Sequence, residues 1–578
     1  MKFSNHQPDS PKKNLGLRWQ SAAATPLSPA MKSSESGVAL RFPPHSMTLC
    51  GLATIILSLV AAFNSSAFAQ VYSQGIPTFE QRQINLTNSK VLVVEANDIP
   101  DRPEKLNFPP LKYEPPAPDQ FRVQLKSGPV AYLVPDHERP LINFSLYIRT
   151  GNYLEPAGKE GLTELCGWLL THGGAGTNTA DQLEERLAFL AANLGTSIGD
   201  TEATVSLNLL AKDLDEGLGI LHDVLFAPRF QDDKITLRKQ QMLQEMKQRN
   251  DDSPNIEGRE VGFLSRGENF FENRYSTTNS LAGITQRDLV KFHFNYFQLK
   301  NFVIGVSGDF DRADMIARLE KLFASGPMPS MALNGVEKTM PNLIPTNFTF
   351  AAPGVYLVNK PEVDQGRVTM MLPGIKRENP DYYACLVMNS ILGGGGFSSR
   401  LMGRVRSDEG LAYSVGSRFP GGVYYPGITT IIFQSKSRTV AYAAQICVEE
   451  LKRIAAEPVT DKEMNIAIKS YINTFPQKFA TKSAVADQFA ADEFTGRYAN
   501  DPEFWKNFRD KIQAVTKADV QRVAAKYLTA DKLVVLVVGN KGEILLGHPN
   551  HPAKLTELLG GKFTELPLRD PLTMLPMK

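Results

Sequence analysis

Cysteine is almost absent: four residues in 578, one of which, Cys50, sits in an N-terminal apolar run. The remaining Cys166, Cys385 and Cys447 are odd in number and show no CxxC spacing, so no disulfide framework supports the fold; their apolar helical contexts mark them as small buried hydrophobes. Net charge is lacking too. With 63 Lys and Arg against 61 Asp and Glu, a balance of +2 gives no electrostatic case for nucleic acid or an anionic membrane surface as a partner. Histidine is scarce, with eight in the chain and no HxxxH or HxH pair.

A membrane-length apolar run is missing as well. Leu49 to Phe63 is uncharged over 15 residues. As a helix it would span roughly 22 Å, short of the roughly 30 Å hydrocarbon layer. Lys32 and Arg41 precede it and Ala67-Phe68-Ala69 follows, the layout of a cleaved secretory signal, with Met31 as an alternative start. The expectation is export to a periplasmic or extracellular compartment, a mature chain beginning near Gln70 and no stable membrane span. Residues 70–118 turn polar and then proline-rich (NFPPLKYEPPAPDQF), which reads as an extended arm.

What remains is one unit used twice. ITQRDLVKFHFNYFQLKNFVIGVSGD (284–309) lies without a gap on VTKADVQRVAAKYLTADKLVVLVVGN (515–540) at a constant offset of 231, each copy reading as a Thr-capped helix followed by a buried strand. Upstream, APRFQDDKI (227–235) finds a counterpart in EPVTDKEMN (457–465). Both copies open alike, VAYLV and INFSLYIRTG in the first, VYLV and GRVTMMLPG in the second. Ile142, Phe144, Leu146 and Ile148 alternate as a half-buried strand should, and so do Val205, Leu207 and Leu209 in TEATVSLNLL. The expected fold is α+β: two homologous α/β sandwich domains at 119–324 and 353–578, joined by a linker at 325–352, with helices packed on one face of a mostly antiparallel sheet.

One stretch raises a functional question. In GLTELCGWLLTHGG (161–174), Leu162, Leu165, Cys166, Leu169 and Leu170 form a core-facing stripe, while Glu164, Gly167, Trp168, Thr171 and His172 line another side. The order of a GNYLEP turn (151–156), this GL-headed helix, TEATVSL, LHDVLFAPRF and a repeat of the whole resembles the pitrilysin/insulinase family of zinc metallopeptidases, which includes the mitochondrial processing peptidases. The resemblance covers roughly 120 to 545 and implies that family's fold.

Active members carry H-x-x-E-H on this helix, because residues i and i+4 share a face and both imidazoles reach one metal, while the Glu deprotonates its bound water. On that pattern Glu164 replaces the first His, Gly167 the catalytic Glu and Trp168 the second His. Glycine supplies no base, and the indole N–H is a donor with no lone pair for a metal. Glu245, 77 positions after Trp168, matches the distal ligand. It would be a relic ligand without partners, or else an ordinary solvated carboxylate. A rebuilt site from Glu164, His172 and Glu245 is disfavoured, since His172 lies eight residues beyond Glu164 at the helix end. The expectation is that the ancestral zinc site is lost, that Trp168 fills its volume, and that restoring the three motif residues would regain zinc at the expense of stability.

The second half keeps what the first lost. ILGGGGFSSRLMGRVRSDEGLAYSV (391–415) resembles the family segment whose Arg and Tyr hold the substrate carbonyl across from the zinc; these correspond to Arg406 and Tyr413. The glycine run Gly393, Gly394, Gly395 and Gly396 precedes a helix that reads as capped by Ser398 and Ser399, without GK[ST] or GxGxxG, which argues against a nucleotide site. It is either a turn allowing close packing or, as the resemblance implies, a peptide-contacting loop with Phe397 as its apolar contact. Three readings follow: a non-catalytic, substrate-binding subunit that complements a homologous zinc-bearing partner acting on peptides; a structural or assembly protein of the same fold; and an active peptidase with an atypical metal site. The first fits the division of residues best.

Overall fold

The computed structural model describes residue 102 and residues 113–324 and 343–577. The signal run at 49–63, the cleavage position at Ala69, nearly all of the arm at 70–118 and residues 325–342 of the linker lie outside the described residues. No described helix is long and apolar enough to cross a membrane.

The first half contributes β1 (Arg122–Gln124), β2 (Val130–Pro135), β3 (Leu141–Ile148), β4 (Asn193–Ile198), β5 (Ala203–Leu210) and β6 (Phe302–Gly308). Its helices are α1 (Leu162–His172), α2 (Ala180–Phe189), α3 (Leu214–Phe226), α4 (Asp232–Lys247), α5 (Ser253–Arg266), α6 (Thr278–Gly283), α7 (Gln286–Tyr296) and α8 (Arg312–Ala324). The second half contributes β7 (Gly354–Asn359), β8 (Gln365–Pro373), β9 (Ile375–Lys376), β10 (Ala412–Arg418), β11 (Gly421–Gly422), β12 (Ile428–Lys436), β13 (Val534–Gly539) and β14 (Phe563–Leu566). Its helices are α9 (Tyr382–Asn389), α10 (Val440–Ala456), α11 (Asp461–Thr474), α12 (Lys482–Phe494), α13 (Arg497–Asn500), α14 (Phe504–Gln513), α15 (Lys517–Tyr527) and α16 (Lys541–Leu546).

The internal repeat is a repeat of topology. One six-stranded sheet runs β1-β2-β6-β3-β5-β4 and the other, read from its far edge, β14-β7-β13-β8-β12-β10. In both, the late strand inserts parallel to the opening strand and antiparallel to the next, β6 between β2 and β3, β13 between β7 and β8. The two helices aligned by the 231-residue offset carry the same cap: Thr285 and Asp288 on α7, Thr516 and Asp519 on α15, each side chain bonded to the other residue's backbone N–H. The alternation read in β3 is real, with Ile142, Phe144, Leu146 and Ile148 all buried. Most ladders are antiparallel, and a helical layer covers one face of each sheet.

The opposite faces are covered by exchange. Strand β2 points Ala131 and Leu133 into the first-half core but Tyr132 and Val134 into the second-half core, where α12 lies. Arg122 and Tyr132 reach that helix through the Glu493 carboxylate, at 3.0 Å from Arg122 Nε and 2.9 Å from the Tyr132 hydroxyl. Reciprocally, Val534, Leu536 and Val538 of β13 pack on Ile256 and Leu264 of α5, and the buried Glu257 carboxylate accepts from Thr369 and Arg367 of β8. Burial on both faces explains why β13 reads as an unbroken apolar run and β6 as one interrupted only at Ser307.

Candidate functional site

The GNYLEP turn places α1. Glu155 Oε1 accepts from the N–H groups of Gly161 and Thr163 at 3.2 and 2.8 Å and from the Thr163 hydroxyl at 2.7 Å, so a buried carboxylate caps the helix that opens at Gly161, whose φ is +96°. Leu162, Leu165, Cys166, Leu169 and Leu170 are buried as the periodicity requires. On the other side α1 presses against β4. A Cβ at Gly167 would come within 3.0 Å of the Ile198 backbone nitrogen, and the Thr196 hydroxyl donates to the Gly167 carbonyl.

The site face of α1 is occupied by a cation. Arg238, on α4 and largely buried, donates to Glu164 at 2.8 Å and to both oxygens of Glu245 at 2.8 and 3.3 Å. Its guanidinium lies 5.9 Å from the Trp168 ring centroid. Glu164 and Glu245, 81 residues apart in the chain, are thus brought together by a residue that the sequence reading passed over. Its signal was available: Arg238 precedes Glu245 by seven positions, two helical turns on the same face. Burial pushes the Glu164 carboxyl above its ordinary range, with Arg238 opposing and Glu245 reinforcing that shift. His172 takes no part. Its ring stacks on Trp168, centroids 4.4 Å apart and planes 8° apart, and Nδ1 lies 2.9 Å from the Trp168 carbonyl.

These residues do not fit a zinc ion. A guanidinium bridges the two carboxylates that would serve as ligands, an indole replaces an imidazole, and position 167 has neither a base nor room for one. Among the described residues no group of three or more His, Cys, Asp or Glu side chains is placed to hold a metal.

The second candidate cluster is built by glycine packing. α9 runs into a π-helical turn, Ser390–Gly394, where added Cβ atoms would fall 2.5 Å from the Ser417 nitrogen at Gly393 and 2.5 Å from Asn389 Nδ2 at Gly394, and at Gly395, which follows the turn, 2.5 Å from the Ser390 carbonyl. Gly396 instead supplies a φ of +61°. Ser398 and Ser399 do not cap a helix: their hydroxyls donate to the carbonyls of Gly395 and Gly396. Arg400 then anchors the segment to α11 through two bonds to Glu463, at 2.6 and 3.2 Å.

This scaffold presents a three-layer stack at the surface. The Arg406 guanidinium sits 4.8 Å from the Phe397 ring centroid and 4.7 Å from that of Tyr413. Phe397 is 75% and Tyr413 83% exposed, unusual for large side chains. The register of β10 against β12 shifts between Ala412 and Val415, a bulge that turns Tyr413 out of the ladder. Among the described residues, no hydrogen bond, ion pair or ring contact joins this stack to Glu164, Arg238 or Glu245.

Known families match both halves. Residues 132–261 match the family described as insulinase (peptidase family M16), and residues 283–471 match the peptidase M16 inactive domain. The chain belongs to the insulinase family. A curated relative from Rickettsia bellii, described as an uncharacterized zinc protease, is 22% identical over 73% of the chain and 98% of its own length. A relative from Helicobacter pylori, described as a non-peptidase homolog, is 24% identical over 70% of the chain and 90% of its own. Among solved structures, a peptidase M16 inactive domain from Pseudomonas fluorescens superposes with a TM-score of 0.62 at 23% identity, over 73% of this insulinase-family chain and 97% of that one. The periplasmic protease PqqL from Escherichia coli gives 0.61 at 13%, over 79% and 50%.

Proposed function

We propose that the chain is an exported, non-catalytic member of the insulinase family that binds peptide and complements a homologous, zinc-bearing subunit. The observation that carries this is the contrast between the two clusters. Where active relatives place a metal, this chain has Arg238 bridging Glu164 and Glu245. Where they hold substrate, it keeps Arg406 between two exposed aromatic rings. A fixed guanidinium can donate to a peptide carbonyl while Phe397 and Tyr413 supply apolar contact, and an exposed stack of this kind has no evident role in stabilising its own fold.

The test is reconstitution with a homologue carrying HxxEH from the same organism. Peptide cleavage should require both proteins and fall at least tenfold with Arg406→Ala, with zinc found only in the partner. Unchanged cleavage with Arg406→Ala, or no association, would favour an assembly role. Zinc in this chain at one equivalent, lost with Glu245→Gln, would revive the peptidase reading.

A further inference from the structure

Beside the replaced metal centre lies a cleft of about 560 Å³ between α1, α4 and α5, lined by Glu164, Glu245, Arg249, Gly258, Arg259 and Tyr275 among others. Its cations are unevenly paired. Arg238 is matched by Glu164 and Glu245. Arg249 finds only neutral acceptors: the Ser276 carbonyl at 2.8 Å, the Ser276 hydroxyl at 2.9 Å and the Pro571 carbonyl at 3.1 Å. Arg259 is 3% exposed; Nε meets Glu260 at 3.1 Å and Nη1 meets Asn250 Oδ1 at 3.1 Å, while Nη2 has no partner. Glu260 is shared with Arg569 at 3.6 Å, and Arg569 also bonds the carboxylate of Glu268.

A desolvated cation with neutral partners beside a buried guanidinium N–H with none is an arrangement that an anion completes. The shift of Arg249 points the same way: burial lowers it, with Glu164 at a distance opposing. Tyr275, whose ring lies 5.6 Å from the Arg249 guanidinium, forms part of the wall. Gly258 keeps the cleft open, since a Cβ there would meet nothing within 4 Å. Two guanidinium groups suit a planar carboxylate, which takes bidentate bonds.

We infer that this cleft binds a carboxylate of the peptide, either its C-terminus or an acidic side chain, through Arg249 and Arg259. The inference rests on the peptide-binding reading above and gives it a substrate class. Its occupant enters where active relatives would place the scissile bond, so the degenerate site has become a recognition pocket.

The experiment uses the full chain and two kinds of probe. N-acetylglycine and its amide are titrated calorimetrically, and a fluorescein-labelled nonapeptide is titrated as free acid or amide, each with an internal Glu or Gln. The carboxylate forms should bind at least tenfold tighter. Gly258→Leu, which fills the cleft without touching a charge, and Arg249→Gln should each bring the forms to parity; Arg406→Ala should weaken all peptides alike. Whether the terminal acid or the Glu carries the preference identifies the source. Peptides that bind through Arg406 without preferring carboxylate overturn the pocket and leave the subunit reading intact. N-acetylglycine binding abolished by Gly258→Leu, with no peptide bound, keeps the pocket and removes the subunit reading. Binding by neither probe overturns both.

Discussion

Gly167 lies against Ile198 so closely that a Cβ at 167 would fall 3.0 Å from the Ile198 backbone nitrogen and 3.3 Å from its Cγ1. On the proposed alignment with HxxEH, the general-base position has closed sterically as well as chemically, with α1 seated on β4. In an unobstructed helix, Gly→Ala gains about 1 kcal/mol. Here crowding costs on the order of 1–3 kcal/mol, so Gly167→Ala should destabilise, and Gly167→Glu more so. Gly258 on α5 is the internal control, because its Cβ direction is empty; Gly258→Ala should gain about 0.5–1 kcal/mol. Urea midpoints decide it, and a stabilising Gly167→Ala would show that α1 has room to move.

Restoring the metal requires more than the motif. Glu164→His, Gly167→Glu and Trp168→His rebuild HxxEH, but Arg238 would still reach Glu245 at 2.8 Å and hold a positive charge where zinc must sit. The triple variant should fold less stably and bind substoichiometric zinc, and addition of Arg238→Gln should raise the content toward one equivalent. Elemental analysis after desalting separates the two. A triple variant that already holds one zinc would mean that Arg238 swings away at no significant cost.

How much of this could be read beforehand depended on whether the signal was local. The caps at Thr285 and Thr516, the alternation in β3 and the stripe of α1 are periodic patterns within one element, and each appears as expected. Glu245 and Glu164 were singled out separately, but their bridge was not, because Arg238 reads as one more charge on a polar helix until α4 is laid across α1. The exchange of α5 and α12 was likewise hidden. Period-two burial announces one apolar face, and nothing in β6 says that the second face belongs to a helix 180 residues downstream. Ser398 and Ser399 show the converse error, where cap-type residues instead bond backward to glycine carbonyls.

The anchor beneath the Arg406 stack should report on pH. Burial raises the Glu463 carboxyl, but bonds from Arg400 and from the Thr460 backbone and hydroxyl outweigh it and hold the group down at about 2. A carboxyl lowered in the folded state stabilises above its unfolded value near 4.3 and loses that contribution as pH falls toward 2, an effect on the order of 3 kcal/mol. Glu463→Gln, which can still serve the Thr460 cap, should be less stable at pH 7 and should show a flatter loss between pH 5 and 2. Denaturant midpoints across that range check the slope; parallel curves for the two proteins would remove the ion pair with Arg400 as the cause.

Exchange of helices should make the two halves unfold together. Past residue 69 the sequence holds one tryptophan per half, Trp168 and Trp505, so Trp505→Phe and Trp168→Phe in a chain starting at Gln70 each leave a reporter for one half. Removing α12 from the first sheet would expose Tyr132 and Val134, and removing α5 from the second would expose Val534, Leu536 and Val538, so neither half retains both covered faces alone. The two fluorescence transitions in urea should coincide within error. The contact can also be tightened deliberately: a Cβ at Gly305 on β6 would meet the Ala486 carbonyl of α12 at 3.1 Å, so Gly305→Val should lower both midpoints, by on the order of 1–3 kcal/mol. A Gly305→Val chain whose Trp168 transition moves while that of Trp505 stays in place would show the halves to be energetically separate despite the shared helices.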